Sequence, residues 1–409
     1  MEKLRIAVVG GGAAGMMAAG SALEHGADVT IFEHMGRLGK KLAITGKGRC
    51  NVTNASSVND ILDNVTKNPR FLYSALNTLS PFDVMDHFEN LGVKLKVERG
   101  QRVYPESDKA IDIVDAMKRY SQGGKIRFSK VTRIEKLDEI FEVTADGKVY
   151  EFDRVILATG GRSYPLTGSD GSGFSLAMSL GHTVTELIPS LVPLESPSLY
   201  CSDMQGLSLK NVAIKITDGS GRTLYEDFGE MMFTHFGVTG PVILSASAHL
   251  TGCDYKDTRL SIDLKPALDE KTLDARLISD FAANTNKDFI NSLGALLPSK
   301  MIEPFIRYTG VSPRKKVNSI TKEERRIILS ALKGFEIPIS GTRPIEEAII
   351  TSGGVRTKEI KPGTMESKIV SGLYFAGEMI DVDAYTGGYN LQIAFSTGYL
   401  AGKSAAEWS

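Results

Sequence analysis

The chain has 409 residues, of which 42% are hydrophobic and 24% charged, enough for two or three folded domains with apolar cores. A formal net charge of −1 excludes an overall positive field that would draw the protein to nucleic acid or to an anionic membrane. Cys50, Cys201 and Cys253 stand far apart, which argues against a disulfide framework, a structural zinc site and a dithiol redox centre.

The first predicted strand, Leu4 to Val9, begins almost at the start of the chain and leaves no room for a secretory signal peptide. No apolar run approaches the roughly 20 residues that are needed to span a bilayer. We therefore expect a cytoplasmic protein that makes no use of a membrane and holds no metal.

A glycine motif, Gly10-x-Gly12-x-x-Gly15, follows this strand at once and opens a predicted helix that runs to His25. In such a turn the first glycine permits the tight bend and the second lets the backbone approach a pyrophosphate. The third glycine lets the helix pack close to the sheet, and the helix N-terminus offers free N–H groups to phosphate. The motif predicts a dinucleotide-binding site.

A second predicted strand, Asp28 to Phe32, ends at the acidic residue Glu33. A carboxylate about 20 residues after the first glycine can accept hydrogen bonds from ribose hydroxyls. The same charge repels a 2′-phosphate, so NADP is disfavoured at this particular site. Strand, glycine turn, helix, strand and acid together form a complete fingerprint.

A third buried strand is predicted at Val155 to Ala158, and it ends in Thr159, Gly160 and Gly161. Its place is the same carboxyl edge of the sheet, where ligands of open α/β sheets bind. The later glycine-rich run, Gly168 to Gly173, lacks the strand and acid that a second dinucleotide fingerprint requires. A pyridine nucleotide would therefore dock only transiently.

The middle of the chain has a different pattern, with a predicted hairpin first and helices after it. Val212 to Thr217 and Arg222 to Glu226 flank a glycine turn, and Arg259 to Leu264 forms a further strand. Helices are predicted at the following ranges: Leu273 to Phe281, Asp288 to Leu297, and Lys322 to Lys333, the last with a capping box of Thr321 and Glu324. This order fits neither half of a βαβ fold.

A basic segment lies within this middle region. Between Lys300 and Arg343 there are ten Lys or Arg residues against four Asp or Glu residues. Such a segment either contacts RNA phosphate or forms a solvated helix face.

Near the C-terminal end, a buried strand from Leu373 to Ala376 closes on Gly377-Glu378, with Asp381 just after it. Gly387 to Asn390 then opens a helix that is predicted from Leu391 to Ala406. This second glycine-and-acid site suits a long cofactor, because the acid can hold ribityl hydroxyls and the helix N-terminus can stabilise negative charge on a reduced flavin. A nicotinamide cofactor at the first motif would not need it, so the sequence predicts FAD.

The three glycine-ended strands resemble the glutathione-reductase-type FAD-binding fold, and the run from Gly168 to Gly173 resembles its fumarate reductase branch. More closely, the chain is similar to the HI0933-like flavoproteins through four long segments: Thr45 to Asn54, Phe233 to Pro241, Thr351 to Val355, and Gly377 to Gln392. The resemblance implies an α/β FAD-binding Rossmann domain at residues 1–191 and 352–409. It also implies an inserted domain at 192–351, with a β-barrel-like unit at about 192–265 and a helical part at about 266–340.

The motifs and the resemblance together assign a long set of residues to the cofactor: Gly10, Gly12, Ala13, Ala14, Gly15, Glu33, Lys41, Gly46, Gly48, Arg49, Cys50, Asn51, Val131, Thr159, Gly160, Gly377, Glu378, Asp381, Gly388, Tyr389, Asn390 and Leu391.

Each candidate catalytic residue has a structural alternative. Arg49 either holds the flavin's pyrimidine edge or a substrate oxygen, or pins its own loop through a carboxylate. Cys50 is either a proton donor or a small buried packing residue. His235 is either a general acid or a structural hydrogen-bonding residue. Tyr385 and Tyr389 either protonate a carbanion after hydride transfer or pack against flavin and core.

The resemblance implies two-electron reduction of an electron-poor C=C bond with NADH or NADPH as donor. Three functional alternatives stay open at this point. The substrate is a small enone or steroid-like molecule, or it is a uracil in ribosomal RNA. A different class comprises an amine oxidase of the aminoacetone type and a flavin-binding redox sensor without catalysis.

Overall fold

The computed structural model describes residues 3–250 and 252–407. The chain divides into two compact units. The first unit comprises Met1–Ser190 and Ile345–Ser409, and the inserted unit comprises Leu191–Pro344. Each unit has its own hydrophobic core.

The N-terminal part of the first unit contains twelve strands and six α-helices. The strands are β1 (Arg5–Val9), β2 (Asp28–Phe32), β3 (Thr53–Asn54), β4 (Val65–Lys67), β5 (Leu95–Glu98), β6 (Arg102–Pro105), β7 (Lys125–Arg127), β8 (Val131–Leu137), β9 (Ile140–Ala145), β10 (Lys148–Phe152), β11 (Arg154–Leu157) and β12 (Ile188–Ser190). The helices are α1 (Ala13–Glu24), α2 (Val58–Asp63), α3 (Tyr73–Thr78), α4 (Pro81–Asn90), α5 (Ala110–Tyr120) and α6 (Ser172–Ser179).

The inserted unit follows, and the chain then returns to the first unit. The strands of the inserted unit are β13 (Leu194–Glu195), β14 (Ser208–Thr217), β15 (Thr223–Thr234), β16 (Gly237–Thr239), β17 (Arg259–Asp263), β18 (Phe335–Pro338) and β19 (Gly341–Thr342). Its helices are α7 (Leu199–Asp203), α8 (Pro241–Ser247), α9 (Glu270–Ala283), α10 (Ser299–Thr309) and α11 (Lys322–Lys333). The returning segment contributes β20 (Ile350–Ser352), β21 (Leu373–Phe375), β22 (Asp383–Ala384) and α12 (Tyr389–Ala406).

The centre of the first unit is a five-stranded parallel sheet in the order β21-β11-β1-β2-β7. Its three middle strands are almost entirely buried, as expected for parallel strands that are covered on both faces. β1 pairs with β11 in a register that places Val9 opposite Leu157, and β11 in turn places Leu157 opposite Phe375 of β21. The predicted Rossmann-type α/β fold, built from both ends of the sequence, is confirmed.

Two helices from opposite ends of the sequence pack closely on this sheet, because glycines remove the side chains between them. A Cβ atom on Gly398 of α12 would lie 2.5 Å from the carbonyl oxygen of Ala14 in α1. A Cβ atom on Gly402 would lie 2.1 Å from the carbonyl oxygen of Ala18. The backbones of α1 and α12 therefore approach each other more closely than any larger residue allows at these positions.

Smaller antiparallel sheets complete the first unit. β8, β9 and β10 form a meander that the sequence analysis does not predict, and β5, β6 and β3 form a second three-stranded sheet. β12 pairs with β20, so the strands that flank the insertion run side by side. β22 pairs with β4.

The inserted unit is built on a seven-stranded sheet in the order β18-β17-β14-β15-β16-β13-β19, with antiparallel neighbours throughout. The predicted hairpin is present as β14 and β15, and the predicted strand at Arg259 is β17. The capping box of α11 is also present. The Thr321 hydroxyl accepts a 3.2 Å hydrogen bond from the backbone N–H of Glu324, whose carboxylate accepts a 2.8 Å bond from the N–H of Thr321.

The predicted helix from Asp288 to Leu297 is wrong. This segment forms two short 3₁₀ turns that are closed by i to i+3 backbone bonds, and it contains Gly294, a residue type that disfavours a continuous helix. An α-helix follows at Ser299–Thr309, which the sequence analysis misses because Pro304 lies inside it. The expected order in the inserted unit, with strands first and helices second, is also wrong at the C-terminal end of this unit, because β18 and β19 follow the helices.

A search of residues 3–250 and 252–407 finds no helix with the length and apolar character of a membrane span. Within the same residues, no three or more His, Cys, Asp or Glu side chains are grouped as metal ligands.

Candidate cofactor-binding site

The turn between β1 and α1 is shaped by two glycines that have no room for a side chain. Gly10 has a φ of +107°, and a Cβ atom there would lie 2.4 Å from the carbonyl oxygen of Ala158, at the end of β11. A Cβ atom on Gly15 would lie 1.8 Å from the carbonyl oxygen of Gly10. The two glycines thus allow the turn to lie against the sheet and the helix to lie against the turn.

Gly12 has the opposite environment. Apart from Gly12, its chain neighbours and the adjoining backbone of α1, no atom of the described residues lies within 4 Å of the position of a Cβ atom on Gly12. Gly12 precedes the first residue of α1, and no side chain caps that helix N-terminus. The turn therefore presents unblocked backbone and the positive end of a helix to open space, which is the arrangement that a phosphate group fits.

Glu33 lies beside this turn. One carboxylate oxygen accepts a 2.9 Å hydrogen bond from the N–H of Gly11, and the other accepts a 2.8 Å bond from the N–H of Met35. These two bonds fix the side chain, of which 12% is exposed. A carboxylate has about four lone-pair sites, so Glu33 keeps the capacity to accept from ribose hydroxyls.

A second uncapped helix N-terminus belongs to α12. Its N-cap residue, Gly388, has a φ of +99°, and no side chain caps the helix. The side chain of Asn390 serves the preceding turn instead, because it exchanges hydrogen bonds of 2.7 and 3.0 Å with the backbone of Ala384. At the end of β21, a Cβ atom on Gly377 would lie 2.7 Å from the Cβ of Ala14. The end of β21 is thus in contact with the first turn of α1.

A hub of four side chains ties the loops at this edge together: Lys41, Ser163, Thr351 and Glu378. Lys41 donates 2.8 Å hydrogen bonds to Glu378 and to the hydroxyl of Ser163. Glu378 also accepts from the hydroxyl of Ser163 at 3.1 Å and from the backbone N–H of Thr351 at 2.8 Å. Lys41 and Glu378 are among the residues predicted to bind the cofactor, whereas Ser163 and Thr351 are not, although Thr351 opens one of the four segments that carry the family resemblance.

The hub leads to a prediction for Lys41→Met. This change removes the ammonium group from a Glu378 side chain that is only 20% exposed, so the loops lose one charge-assisted hydrogen bond. We expect roughly tenfold weaker FAD binding, because such a bond is worth about 1.5 kcal/mol. Titration of the apoprotein with FAD measures it. Lys40→Met is the matched control, and equal losses in the two variants would contradict a specific role of the hub.

Arg49 adopts the loop-pinning alternative in this structure. Its guanidinium donates to Asp108 at 2.8 Å and to Glu98 at 3.3 Å, and it stacks over the ring of Tyr104 at 4.2 Å from the centroid. Two carboxylates and an aromatic face therefore hold the side chain. Its roles toward cofactor and substrate stay predictions.

Cys50 is fully buried and has a φ of +59°. Burial raises the pKa of its thiol to about 12. Such a thiol stays protonated and inaccessible at neutral pH, which favours the packing role over proton donation. Four residues further along, the side chain of Asn54 donates to the carbonyl oxygens of Gly100 and Gly387, both at 3.0 Å, and so caps loop backbone.

A family model described as the HI0933-like protein Rossmann domain matches residues 4–404. The chain belongs to the HI0933-like family. A 3-dehydro-bile acid delta(4,6)-reductase of Clostridium scindens is 33% identical over 417 residues, which cover 98% of this chain and 99% of that relative. A ribosomal RNA dihydrouridine synthase of Escherichia coli is 29% identical over 402 residues, which cover 98% and 97% of the two chains.

One solved structure extends the comparison of the fold. A 3-ketosteroid delta1-dehydrogenase from Sterolibacterium denitrificans, in complex with 1,4-androstadiene-3,17-dione, matches with a TM-score of 0.50. The match covers 99% of this chain and 100% of the dehydrogenase chain, at 13% sequence identity. At this identity the likeness supports the shared fold alone.

Three further residues that were assigned to the cofactor in this HI0933-like chain make contacts within the first unit. The Thr159 hydroxyl lies 3.0 Å from the sulfur of Met379. Asp381 forms an ion pair of 2.7 Å with Lys67. Val131 is buried at the start of β8. Their contacts with a cofactor stay predictions.

The candidate proton donors lie in both units. Tyr389 is half-buried at the start of α12, with its ring against Gly387, and burial raises the pKa of its phenol. The backbone N–H of Tyr385 donates to Asn64. His235 is exposed between β15 and β16 of the inserted unit. Their catalytic roles are not tested by these positions and stay predictions.

The basic segment of the inserted unit is largely neutralised by acids from elsewhere in that unit. Of its ten basic residues, six form ion pairs: Arg307 with Asp203, Lys315 with Glu324, Lys316 with Asp288, Arg325 with Asp274, Lys333 with Asp263 and Arg343 with Glu195. Only Glu324 among these partners lies between Lys300 and Arg343. The net charge counted along the segment is therefore larger than the net charge of the surface that the segment and its partners form.

Proposed function

We propose that this HI0933-like chain binds FAD and uses NADH or NADPH to reduce an electron-poor C=C bond of a small molecule. The observation that carries the proposal is the pair of uncapped helix N-termini at Gly12 and Gly388. α12 runs beside α1 in the same direction, because Gly398 lies against Ala14 and Gly402 lies against Ala18, so the N-termini of both helices point towards the carboxyl edge of the sheet. Two anion-receptive helix ends at one edge suit a cofactor that has a pyrophosphate and a ring able to carry negative charge.

In this proposal the backbone beside Gly12 holds the pyrophosphate, and Glu33 accepts from the ribose hydroxyls. The N–H groups of the first turn of α12, from Tyr389 to Leu391, face the pyrimidine end of the flavin. The hub at Glu378 keeps the surrounding loops in place. When bound, FAD supplies hydride transfer between a nicotinamide and a conjugated double bond.

The substrate class is inferred from the bile-acid reductase, the relative at 33% identity. Reduction of a conjugated bond needs a proton as well as a hydride, and a side chain of the protein would donate that proton. Tyr385 and His235 are the candidates for this donor.

Anaerobic rapid mixing tests the proposal. The purified protein is mixed with NADH or NADPH, and the reduced protein is then mixed with a 3-oxo-4,6-diene bile acid. We expect one of the two nucleotides to bleach the flavin absorbance and the dienone to restore it with formation of the reduced steroid. A protein that takes up no FAD, or a flavin that neither nucleotide bleaches, would contradict the proposal. Reoxidation by O₂ with turnover of an amine would instead support the amine oxidase alternative.

Reduction of uracil in ribosomal RNA is a second candidate, because the Escherichia coli relative at 29% identity is named for that activity. The ion pairs of the basic segment weigh against an RNA-binding surface there. Retention on uracil-containing RNA that weakens steeply with salt, together with dihydrouridine formation, would favour this candidate.

A further inference from the structure

The small sheet of β3, β6 and β5 carries a row of polar residues beside the start of α12. Asn54 pairs with Arg102, and Arg102 pairs with Glu98 on its other side. Residues directly opposite each other in antiparallel strands point to the same face. The side chains of all three residues therefore share one face of this sheet.

Asn54 fixes that face against the turn that precedes α12. Its side-chain amide donates to the carbonyl oxygen of Gly100, at the tip of the β5–β6 hairpin, and to that of Gly387. One side chain thus holds the hairpin beside the residues that open α12. Arg102, which pairs with Asn54 in the sheet, therefore also lies beside the residues that open α12.

Arg102 is half-buried, and within residues 3–250 and 252–407 its guanidinium has neither a hydrogen-bond acceptor nor an acidic partner within 4 Å. Its neighbour Glu98 is occupied by Arg49. The nearby Asp60 is occupied by the backbone and hydroxyl of Ser57, at 3.0 and 2.7 Å. A partly desolvated guanidinium without an acceptor is unfavourable, so an anion from outside the chain would stabilise it.

Tyr389 adds a neutral donor at this place. Its ring lies against Gly387, and among the described residues its hydroxyl makes no hydrogen bond. Asn54, which pairs with Arg102, donates to the carbonyl oxygen of Gly387, so Arg102 and Tyr389 both lie beside this turn. A guanidinium and a phenol, neither of which has an acceptor among the described residues, thus lie beside the turn that opens α12.

We propose that Arg102 and Tyr389 form a subsite for a carboxylate group of the substrate. This proposal rests on the proposed function, and it defines the substrate as an anionic enone. One carboxylate matches the planar fork of one guanidinium. One isolated guanidinium suits a single anionic group and not the successive phosphates of an RNA strand.

The test is equilibrium binding to the FAD-loaded protein of two non-reducible probes, a saturated 3-oxo bile acid and its methyl ester. We expect Arg102→Gln to weaken binding of the acid by about 10- to 100-fold and to leave the ester unchanged. Tyr389→Phe should weaken the acid by a smaller factor. Arg99→Gln, on the exposed tip of the same hairpin, is the matched control and should change neither probe.

The ratio of acid to ester affinity is measured within each variant, so partial loss of folding or of FAD cancels. Arg102→Lys, which keeps the charge, should retain part of the preference for the acid. An unchanged ratio in Arg102→Gln overturns the subsite, and so does a wild-type protein that does not prefer the acid. Weaker RNA binding with unchanged acid binding would also overturn it. None of these outcomes affects the flavin bleaching by NADH or NADPH, so the subsite and the proposed function are tested separately.

Discussion

Replacement of Gly12 by alanine is expected to leave the apoprotein folded and to weaken FAD binding about 100-fold. The backbone at Gly12 is extended, with φ −82° and ψ −166°, so alanine adopts it without strain. No protein atom lies within 4 Å of the new methyl group, so nothing in the chain itself resists the change. A bound pyrophosphate would be displaced from the backbone by the methyl group.

Gly15→Ala is the contrasting variant. Its methyl group would lie 1.8 Å from the carbonyl oxygen of Gly10, so α1 must shift away from the turn. We expect a clearly lower melting temperature of the apoprotein, since overpacking costs about 1–3 kcal/mol. Thermal unfolding and FAD titration of both apoproteins separate the two effects. Tight FAD binding by Gly12→Ala would show that the open space beside Gly12 is not where the cofactor lies.

The second large effect is expected at the contact between α1 and α12. Gly402→Ala places a methyl group 2.1 Å from the carbonyl oxygen of Ala18, and two helix backbones must separate to admit it. We expect the free energy of unfolding of the apoprotein to fall by about 3 kcal/mol, the upper part of the range for overpacked cores. Denaturant unfolding measures this change.

Gly363→Ala is the control for Gly402→Ala. Gly363 lies in the same unit, and no atom lies within 4 Å of a Cβ atom on it. Its replacement should change the unfolding midpoint little. If the two variants unfold alike, close helix packing is not what the glycines of α12 provide. FAD affinity should fall only in Gly402→Ala, because displacement of α12 moves its first turn.

Four of the five strands in the central sheet of the first unit could be predicted because their signals are local; β7 was not predicted. Apolar runs such as Leu4 to Val9 end directly in glycines, and the spacing from Gly10 to Glu33 follows from the geometry of one βαβ unit. The same local reasoning fails at Asp288–Leu297, where apolar spacing suggests a helix. The backbone N–H of Phe289 donates to the carbonyl oxygen of Lys315, and no pattern in the sequence around Phe289 indicates this partner.

Much of the candidate site depends on contacts that are distant in sequence. Ser163 and Thr351 contact Glu378 from other loops, and no local motif indicates that either residue makes this contact. Arg49 contacts Glu98 and Asp108, which are distant from it in the sequence. The partners of the basic segment are spread in the same way, so a count of charges along the sequence could not show that they are paired.

The packing of α1 against α12 has a consequence for how the chain is made. A ribosome that adds about 5–20 residues per second needs on the order of 20–70 s between the two helices. During that time Met16, Met17, Ala18 and Ala19, all fully buried in the finished protein, lack the helix that packs beside α1. Strand β11 likewise waits for β21. The nascent protein therefore exposes apolar surface until α12 has been made, and a chaperone that shields this surface should raise the yield of folded protein.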